Sequence, residues 1–246
     1  MTNALNIVVL AGGKPAAEAQ RNSGEYPDYL VGGGPKTLIE MLLESCTPLD
    51  PAKIVCLFSS EEISKYHLRN LLSQVTPLAS VIPVHSETMG AACTALLAGG
   101  DIDNDEELLI IGSNELLDVP LTEIIERFRQ NGADAGVVTF EALHPRYSFV
   151  KLNADGDVVE STEKNPISKN AIAGTFWFRK GSSFVRAAKN LIRKDTKTNG
   201  AFFIAPALNE LILDGKRVTT VKIQPEQYQP LKTPAQLTAF EMGIQA

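Results

Sequence analysis

The sequence predicts an α/β fold of three layers, in which a mainly parallel sheet lies between two layers of helices. Short continuous apolar runs rich in β-branched residues alternate with segments whose apolar residues recur at helical spacing. After residue 140 this alternation gives way to a pattern typical of an antiparallel hairpin, one further strand and more helices. The chain shows no internal repeat, linker or low-complexity segment, which favours a single domain over residues 1–246.

The first half of the chain carries predicted strands that alternate with predicted helices. Each strand is a continuous apolar run, which suits burial on both faces of a parallel sheet. Glu61 and Glu62 follow Ser59-Ser60, as acidic residues do in the first turn of a helix. The strands are predicted at 6–10, 53–58, 79–84, 107–112 and 135–140, and the helices at 37–46, 61–74, 90–98 and 121–130.

An antiparallel hairpin is predicted in the second half, because the Asp155-Gly156 turn lies between two runs of strand character. Thr233-Pro234 predicts the start of the last helix, with Thr as the N-cap and Pro at the first helical position. The hairpin strands are predicted at 148–152 and 158–161, followed by a strand at 173–178, helices at 183–193 and 205–213, and an edge strand at 216–223.

Composition excludes several classes of protein. With 44% apolar and 21% charged residues among 246, the chain can bury a core and is not expected to be disordered. It contains neither an apolar run of the roughly 18 residues that a membrane helix needs nor the pattern of a signal peptide. A net charge of −6 argues against a general nucleic-acid binder. Cys46, Cys56 and Cys93 lack metal-ligand spacing and lie in apolar segments, which suggests core residues of a cytoplasmic protein.

Candidate binding loops follow from the predicted sheet, since ligands of parallel sheets bind at the carboxyl ends of the strands. This rule points to the loops after Leu10, around Thr88, after Gly112 and around Glu163. The first loop begins Ala11-Gly12-Gly13, and glycines allow backbone N–H groups to approach a phosphate closely. A tight turn without a ligand would use the same residues, so this motif alone leaves both interpretations open.

Short segments along nearly the whole chain carry a more specific signal when they are taken together. These segments are 10–13, 27–31, 36–40, 87–92, 109–118, 147–150, 163–164, 173–174, 199–212 and 233–234. In their order and spacing they resemble the sugar-phosphate nucleotidyltransferases, in particular members encoded with capsule and surface-polysaccharide pathways.

The resemblance implies a Rossmann-like, GT-A-like nucleotidyltransferase fold, with a nucleotide-binding part at 1–140 and a sugar or acceptor part at 141–246. Such enzymes transfer a nucleoside monophosphate from a nucleoside triphosphate to a sugar phosphate or similar small phosphate, and they release pyrophosphate. Both reactants are anionic, so catalysis depends on positioning and charge neutralisation, with Mg²⁺ as the implied cofactor. The implied partners are these two substrates and either a second copy of the chain or a catalytic paralogue, with no nucleic acid and no membrane insertion.

The resemblance also assigns roles to individual residues. The nucleotide-binding residues that it implies are Ala11, Gly12, Gly13, Thr88, Gly90 and Ala91. The acceptor-binding residues that it implies are Tyr147, Glu163, Lys164 and Gly174. The candidate catalytic cations are Lys14 and Lys36, and the candidate metal ligands are Asn114 and Asn209.

Several charged family positions differ in this chain. Asp28 stands where the resemblance leads us to expect a phosphate-clamping lysine, and Asn114 where it leads us to expect a metal-binding aspartate. Ala201 replaces a glutamate, and the glycine-rich loop has no arginine before Arg21. Two like charges about 4 Å apart repel by about 4 kcal/mol at an effective dielectric of roughly 20, so Asp28 would oppose a phosphate. An amide carbonyl has no net charge and is a weaker Mg²⁺ ligand than a carboxylate.

Three functional hypotheses follow. The first is an atypical enzyme in which Lys14, Arg21 or Lys36 supplies the missing charge, and Pro35-Lys36 is itself a literal Pro-Lys pair. The second is a pseudoenzyme that keeps the fold and acts as a binding or regulatory partner. The third is a GT-A glycosyltransferase, which is disfavoured because Ser113-Asn114-Glu115 stands where such enzymes carry Asp-x-Asp.

Overall fold

The computed structural model describes residues 4–12, 26–32 and 34–243. Of the residues assigned roles above, Gly13, Lys14 and Arg21 lie outside this part of the chain. The strands are β1 (Leu5–Leu10), β2 (Lys53–Ser59), β3 (Ala79–Val84), β4 (Glu107–Gly112), β5 (Glu115–Leu117), β6 (Ala135–Glu141), β7 (Ser148–Leu152), β8 (Val158–Glu163), β9 (Asn170–Phe178), β10 (Val218–Lys222) and β11 (Tyr228–Pro230). The helices are α1 (Leu38–Cys46), α2 (Ser60–Lys65), α3 (Leu68–Val75), α4 (Ala91–Leu96), α5 (Gly99–Ile102), α6 (Leu121–Gln130), α7 (Gly181–Arg193), α8 (Ile204–Leu213) and α9 (Pro234–Glu241).

Nine of these strands form one sheet, and four of the six neighbouring pairs along its main path are parallel. β1 pairs in parallel with β2 and β4, β2 with β3, and β6 with β10. β9 runs antiparallel between β4 and β6, so the order is β10-β6-β9-β4-β1-β2-β3. The β7–β8 hairpin joins this sheet through the pairing of Phe149 with Ala171. The predicted mainly parallel α/β fold is therefore confirmed, with β10 at an edge.

The side chains of the central strands alternate between two apolar cores, one on each face of the sheet. Ile7 and Val9 of β1 belong to one core and Val8 to the other. In β9, Trp177 joins the first core and Phe178 the second. Helices α1, α3 and α6 cover the first face, and α4, α7 and α8 cover the second. Because both faces are buried, these strands have continuous apolar sequences.

Glu107 is a buried carboxylate at the start of β4, and it is held by two neighbouring elements. Arg129 of α6 donates from Nε and Nη2, with an Nη2–Oε2 distance of 2.8 Å. Trp177 of β9 donates from Nε1 to Oε2 at 3.3 Å. Buried charge is tolerated only when it is paired and hydrogen-bonded in this way, so Glu107 fixes α6 and β9 against β4.

One predicted helix is divided in the structure. Segment 61–74 forms α2 and α3, because His67 has a φ of 49° and the left-handed region cannot continue a right-handed helix. The prediction of one continuous helix over 61–74 was therefore wrong. The helix predicted at 90–98 is present as α4, and α5 follows it at Gly99–Ile102 after Ala98 leaves helical geometry with a ψ of 9°.

A second small sheet, formed by β5 and β11, was not predicted from the sequence. Tyr228 pairs antiparallel with Leu117, and Pro230 pairs with Glu115. Strands of three residues are too short to show an alternating pattern. No helix within 4–12, 26–32 and 34–243 is long and apolar enough to cross a membrane.

Candidate active site

The turn after β1 lies at the carboxyl edge of the sheet and packs closely against its neighbours. The Ala11 N–H donates to the Leu57 carbonyl at 3.0 Å, and the Ser113 N–H donates to the Leu10 carbonyl at 3.1 Å. A Cβ added to Gly12 would lie 2.8 Å from Val84 Cγ2. Glycine is therefore required at position 12 for packing, whether or not the turn holds a phosphate.

The loop predicted to bind the base is fixed by Thr88 and by a glycine with positive φ. Gly90 has a φ of 116°, and a Cβ there would overlap the backbone of Phe202. Phe202 donates its N–H to the Met89 carbonyl at 2.7 Å and accepts from the Ala92 N–H at 3.1 Å. The Thr88 hydroxyl lies 3.2 Å from the Gly90 carbonyl. Ala91, the other residue predicted here, is the first residue of α4.

The predicted acceptor residues converge where β7 begins and β8 ends. The Lys164 N–H donates to the Tyr147 carbonyl at 3.0 Å, and the Ser148 hydroxyl donates to the Glu163 carboxylate. Lys164 has a φ of 54°, and its Nζ lies 5.1 Å from the centre of the Phe203 ring. The structure therefore brings Tyr147, Glu163 and Lys164 together.

Two adjacent phenylalanines connect the two predicted sides of the site. Phe202 is hydrogen-bonded to the loop at Met89, whereas Phe203 lies under the ammonium of Lys164. The base loop and the acceptor residues therefore share one supporting segment. The sequence did not indicate this link, because the residues it joins lie far apart along the chain.

Gly174, the fourth predicted acceptor residue, makes room for a buried carboxylate that the sequence analysis did not assign. Gly174 has a φ of 61°, and a Cβ there would overlap the Glu115 carboxylate. The same carboxylate lies against Gly112, where a Cβ would be 2.8 Å from Glu115 Oε1. Glu115 accepts from the Tyr228 hydroxyl at 2.6 Å and lies 2.8 Å from Lys232 Nζ. The sequence carried one signal for this buried carboxylate, since Glu115 directly follows Asn114 and begins an apolar segment.

Burial raises the pKa values of two groups in this cluster. Removal of Glu163 from water raises its pKa, and the Glu115 carboxylate acts in the same direction, whereas Ser148, Lys164 and Lys232 oppose the shift. Burial also raises the pKa of Tyr228 well above its ordinary value, so its hydroxyl remains a donor to Glu115. The acceptor side therefore holds one carboxyl group that is unusually easy to protonate.

The described residues do not fit the magnesium site that the resemblance implies. Both ends of the Asn209 amide bind the backbone of Ser161, at 2.8 Å from its N–H and 2.8 Å from its carbonyl. Asn114 carries no charge, and the adjacent carboxylate of Glu115 is paired with Lys232. Within 4–12, 26–32 and 34–243, no group of three or more His, Cys, Asp or Glu side chains could hold a metal ion.

The remaining sequence candidates lie in the segment before α1 and near Phe202. Lys36 Nζ lies 2.6 Å from Glu44 Oε2, and both side chains are about half exposed. Thr37 and Glu40 form a capping box, so α1 begins at Leu38, two residues after Lys36. Asp28 is the first residue of the 3-10 helix Asp28–Leu30. Ala201 lies in a tight turn, where its N–H donates to the Thr198 carbonyl at 3.0 Å.

Comparisons with known proteins match this chain over nearly its whole length. A family model described as nucleotidyl transferase matches residues 8–224. A nucleoside-diphosphate-sugar pyrophosphorylase from Vibrio cholerae superposes with a TM-score of 0.79 at 19% identity, covering 96% of this chain and 99% of that one. A Bacillus anthracis protein described as a glucose-1-phosphate thymidylyltransferase, in complex with a sucrose, gives a TM-score of 0.78 at 18% identity, covering 97% and 94%. A comparison with curated protein sequences found no match.

Proposed function

The chain belongs to the nucleotidyl transferase family, and from this premise we propose that it transfers a nucleoside monophosphate from a nucleoside triphosphate to a sugar phosphate or similar small phosphate, with release of pyrophosphate. Its segments resemble members of surface-polysaccharide pathways, and we place its product among the precursors of such polymers. Its protein partner would be a second copy of the chain or a catalytic paralogue.

The observation that carries this proposal is the position of Lys164. Its backbone is hydrogen-bonded to Tyr147, its ammonium lies over Phe203, and Phe203 follows the residue that supports the base loop. A cation held between an acceptor segment and a nucleotide loop can neutralise the acceptor phosphate as it approaches the triphosphate. Surface lysines elsewhere on the chain, such as Lys53 and Lys222, lie in ion pairs at other strands.

The chemistry required of these residues is mainly positioning. An oxygen of the acceptor phosphate attacks the α-phosphorus in line, a new P–O bond forms, and the bond to the bridging oxygen of pyrophosphate breaks. The backbone at Ala11 and Gly12 would hold the leaving phosphates, and Thr88, Gly90 and Ala91 would contact the base. Lys164 would bind the acceptor phosphate and Glu163 the acceptor hydroxyl groups.

Activity is tested by measuring pyrophosphate release from a panel of nucleoside triphosphates, each combined with sugar 1-phosphates. We expect Lys164→Gln to reduce kcat/KM for the active pair by at least about 100-fold, since a charge-assisted contact to phosphate is lost. Lys151→Gln is the matched control, because Lys151 is an exposed lysine on the same hairpin. Absence of turnover and of nucleotide binding across the whole panel would contradict the proposal.

A catalytically impaired relative is the second candidate function, and two observations favour it. Asp28 and Asn114 differ in charge from what the resemblance implies, and the amide of Asn209 is occupied by Ser161. Such a chain would bind ligands or a partner without turnover. If Asp28→Lys combined with Asn114→Asp creates pyrophosphate release that the parent lacks, this candidate is supported. Ordinary turnover by the parent would exclude it.

A further inference from the structure

Lys232 is held rigidly beside the end of β4, at the place where the resemblance implies a metal. The Leu231 N–H donates to the Asn114 carbonyl at 2.8 Å. The preceding strand, β11, pairs with β5 through Tyr228 and Leu117. Thr233 then caps α9, accepting from the Gln236 N–H at 3.3 Å. The backbone of Lys232 is therefore fixed on both sides, and its ammonium is held by an ion pair with Glu115.

The ammonium of Lys232 already neutralises the carboxylate next to Asn114. Lys232 Nζ lies 2.8 Å from Glu115 Oε2, and the Glu115 side chain is 7% exposed whereas that of Lys232 is 31% exposed. The Tyr228 hydroxyl donates to the same oxygen. A divalent cation placed here would have to replace the ammonium or lie beside it, and like charges at that distance repel strongly.

The partly exposed ammonium can also contact a ligand. An ammonium carries three donors, and its ion pair with Glu115 uses one of them. The end of β4 is adjacent to the turn after β1, because the Ser113 N–H donates to the Leu10 carbonyl. Lys232 therefore lies on the same edge as the backbone proposed to hold the phosphates.

We propose that Lys232 supplies the positive charge that a divalent metal would otherwise supply at this site, so that the chain binds phosphate ligands without Mg²⁺. The inference rests on the proposed function, since it assumes that phosphates bind at this edge. Three observations support it together: the neutral Asn114, the buried and already paired Glu115, and the fixed position of Lys232. The amide of Asn209 is used elsewhere.

The test measures binding of inorganic pyrophosphate to the full chain by calorimetry, once in EDTA and once in excess Mg²⁺. Pyrophosphate is the product common to this class of reaction, so the probe requires no knowledge of the base or the sugar. We expect dissociation constants within about 3-fold of each other in the two buffers, and at least about 10-fold weaker binding by Lys232→Gln in EDTA. Lys232→Arg should retain binding. Lys53→Gln, which breaks an ion pair with Asp101 at the amino end of β2, is the control.

A second pair of variants separates this role from a loss of folding. Lys232→Gln combined with Glu115→Gln removes both charges, leaves no unpaired buried carboxylate, and should fold yet bind pyrophosphate weakly. Lys232→Gln combined with Asn114→Asp leaves two adjacent carboxylates and no ammonium, and its binding should become dependent on Mg²⁺.

Three outcomes would overturn the inference. They are binding by the parent only in Mg²⁺, unchanged binding by Lys232→Gln in EDTA, and tight binding of Mg²⁺ alone to the parent. If pyrophosphate does not bind but a triphosphate of the panel does, this inference is wrong and the proposed function stands. If neither ligand binds, both are wrong.

Discussion

Gly174 allows the Glu115 carboxylate to pack against the backbone on the predicted acceptor side. Its φ of 61° and the nearby Glu115 carboxylate both exclude a side chain. We expect Gly174→Ala to lower the free energy of unfolding by about 3 kcal/mol or more, because backbone strain of about 1–2 kcal/mol adds to displacement of a buried carboxylate. Urea unfolding measures the loss.

Gly156→Ala is the matched control for this substitution. Gly156 has a φ of 84°, and a Cβ there would meet nothing within 4 Å. This variant should lose only the strain of about 1–2 kcal/mol. Equal losses at the two positions would show that the overlap with Glu115 has no energetic consequence.

Glu163 predicts a pH dependence of stability with a definite sign. Burial raises its pKa above the ordinary value of 4.5, helped by Glu115 and opposed by Ser148, Lys164 and Lys232. The folded state therefore binds more protons than the unfolded state, and this contribution to stability falls as pH rises from about 4.5 through the folded pKa. Glu163→Gln removes it. The free energy of unfolding of the parent minus that of the variant should be larger at about pH 4 than at about pH 8.

Urea unfolding of both proteins at a series of pH values tests this expectation. The comparison with Glu163→Gln is needed because Glu40 and Glu141 have lowered pKa values and act in the opposite direction. A difference between the two proteins that grows with rising pH would contradict the assignment.

Helix α8 and strand β8 are joined by the amide of Asn209. Its replacement by Ala leaves the N–H and the carbonyl of Ser161 without these partners. Each lost partner of a buried polar group costs roughly 1–3 kcal/mol, so we expect thermal unfolding to show a loss of about 2–4 kcal/mol. Asn190→Ala is the control, because the Asn190 side chain accepts an exposed hydrogen bond from Arg193.

The same variant tests the assignment of Asn209 as a metal ligand. If the Asn209 amide has only a structural role, Mg²⁺ should leave the unfolding temperatures of the parent and of Asn209→Ala unchanged. Stabilisation of the parent by Mg²⁺ that is absent in the variant would instead support the metal role.

Strands buried on both faces of the sheet were predicted correctly. β1, β2, β4 and β6 lie between two cores, and their continuous apolar runs made them visible in the sequence. α2 and α3 were merged because the break at His67 is a single backbone angle with no strong residue signal. β5 and β11 were missed because three-residue strands depend on a partner distant in the chain.

The candidate site was predictable only where its residues are neighbours in the sequence. Glu163 and Lys164 are neighbours in a local motif, so the sequence indicated them and the structure brings them to Tyr147. The ion pair of Glu115 and Lys232 joins two segments that no local pattern connects. Their pairing depends on the β5–β11 sheet, which was itself not predicted.

Residues 1–140 and 141–246 contribute strands to the same sheet. β9, from the predicted acceptor part, lies between β4 and β6 of the predicted nucleotide part. The prediction of a single domain over 1–246 therefore leads us to expect one cooperative unfolding transition. Trp177, the single tryptophan, is buried in β9 and hydrogen-bonded to Glu107, so its fluorescence reports on the sheet. Fluorescence and circular dichroism should give coincident urea transitions, and two separated transitions would contradict the single domain.

The position of β9 also has a consequence for synthesis of the chain on the ribosome. Emerging chains generally fold from the amino end, yet here β4 and β6 cannot be joined until Asn170–Phe178 has left the exit tunnel. Until then the facing edges of β4 and β6 carry unpaired N–H and carbonyl groups, which are open to pairing with other chains. Emergence of Phe178, and not completion of β6, therefore sets the earliest moment at which the nascent sheet can close.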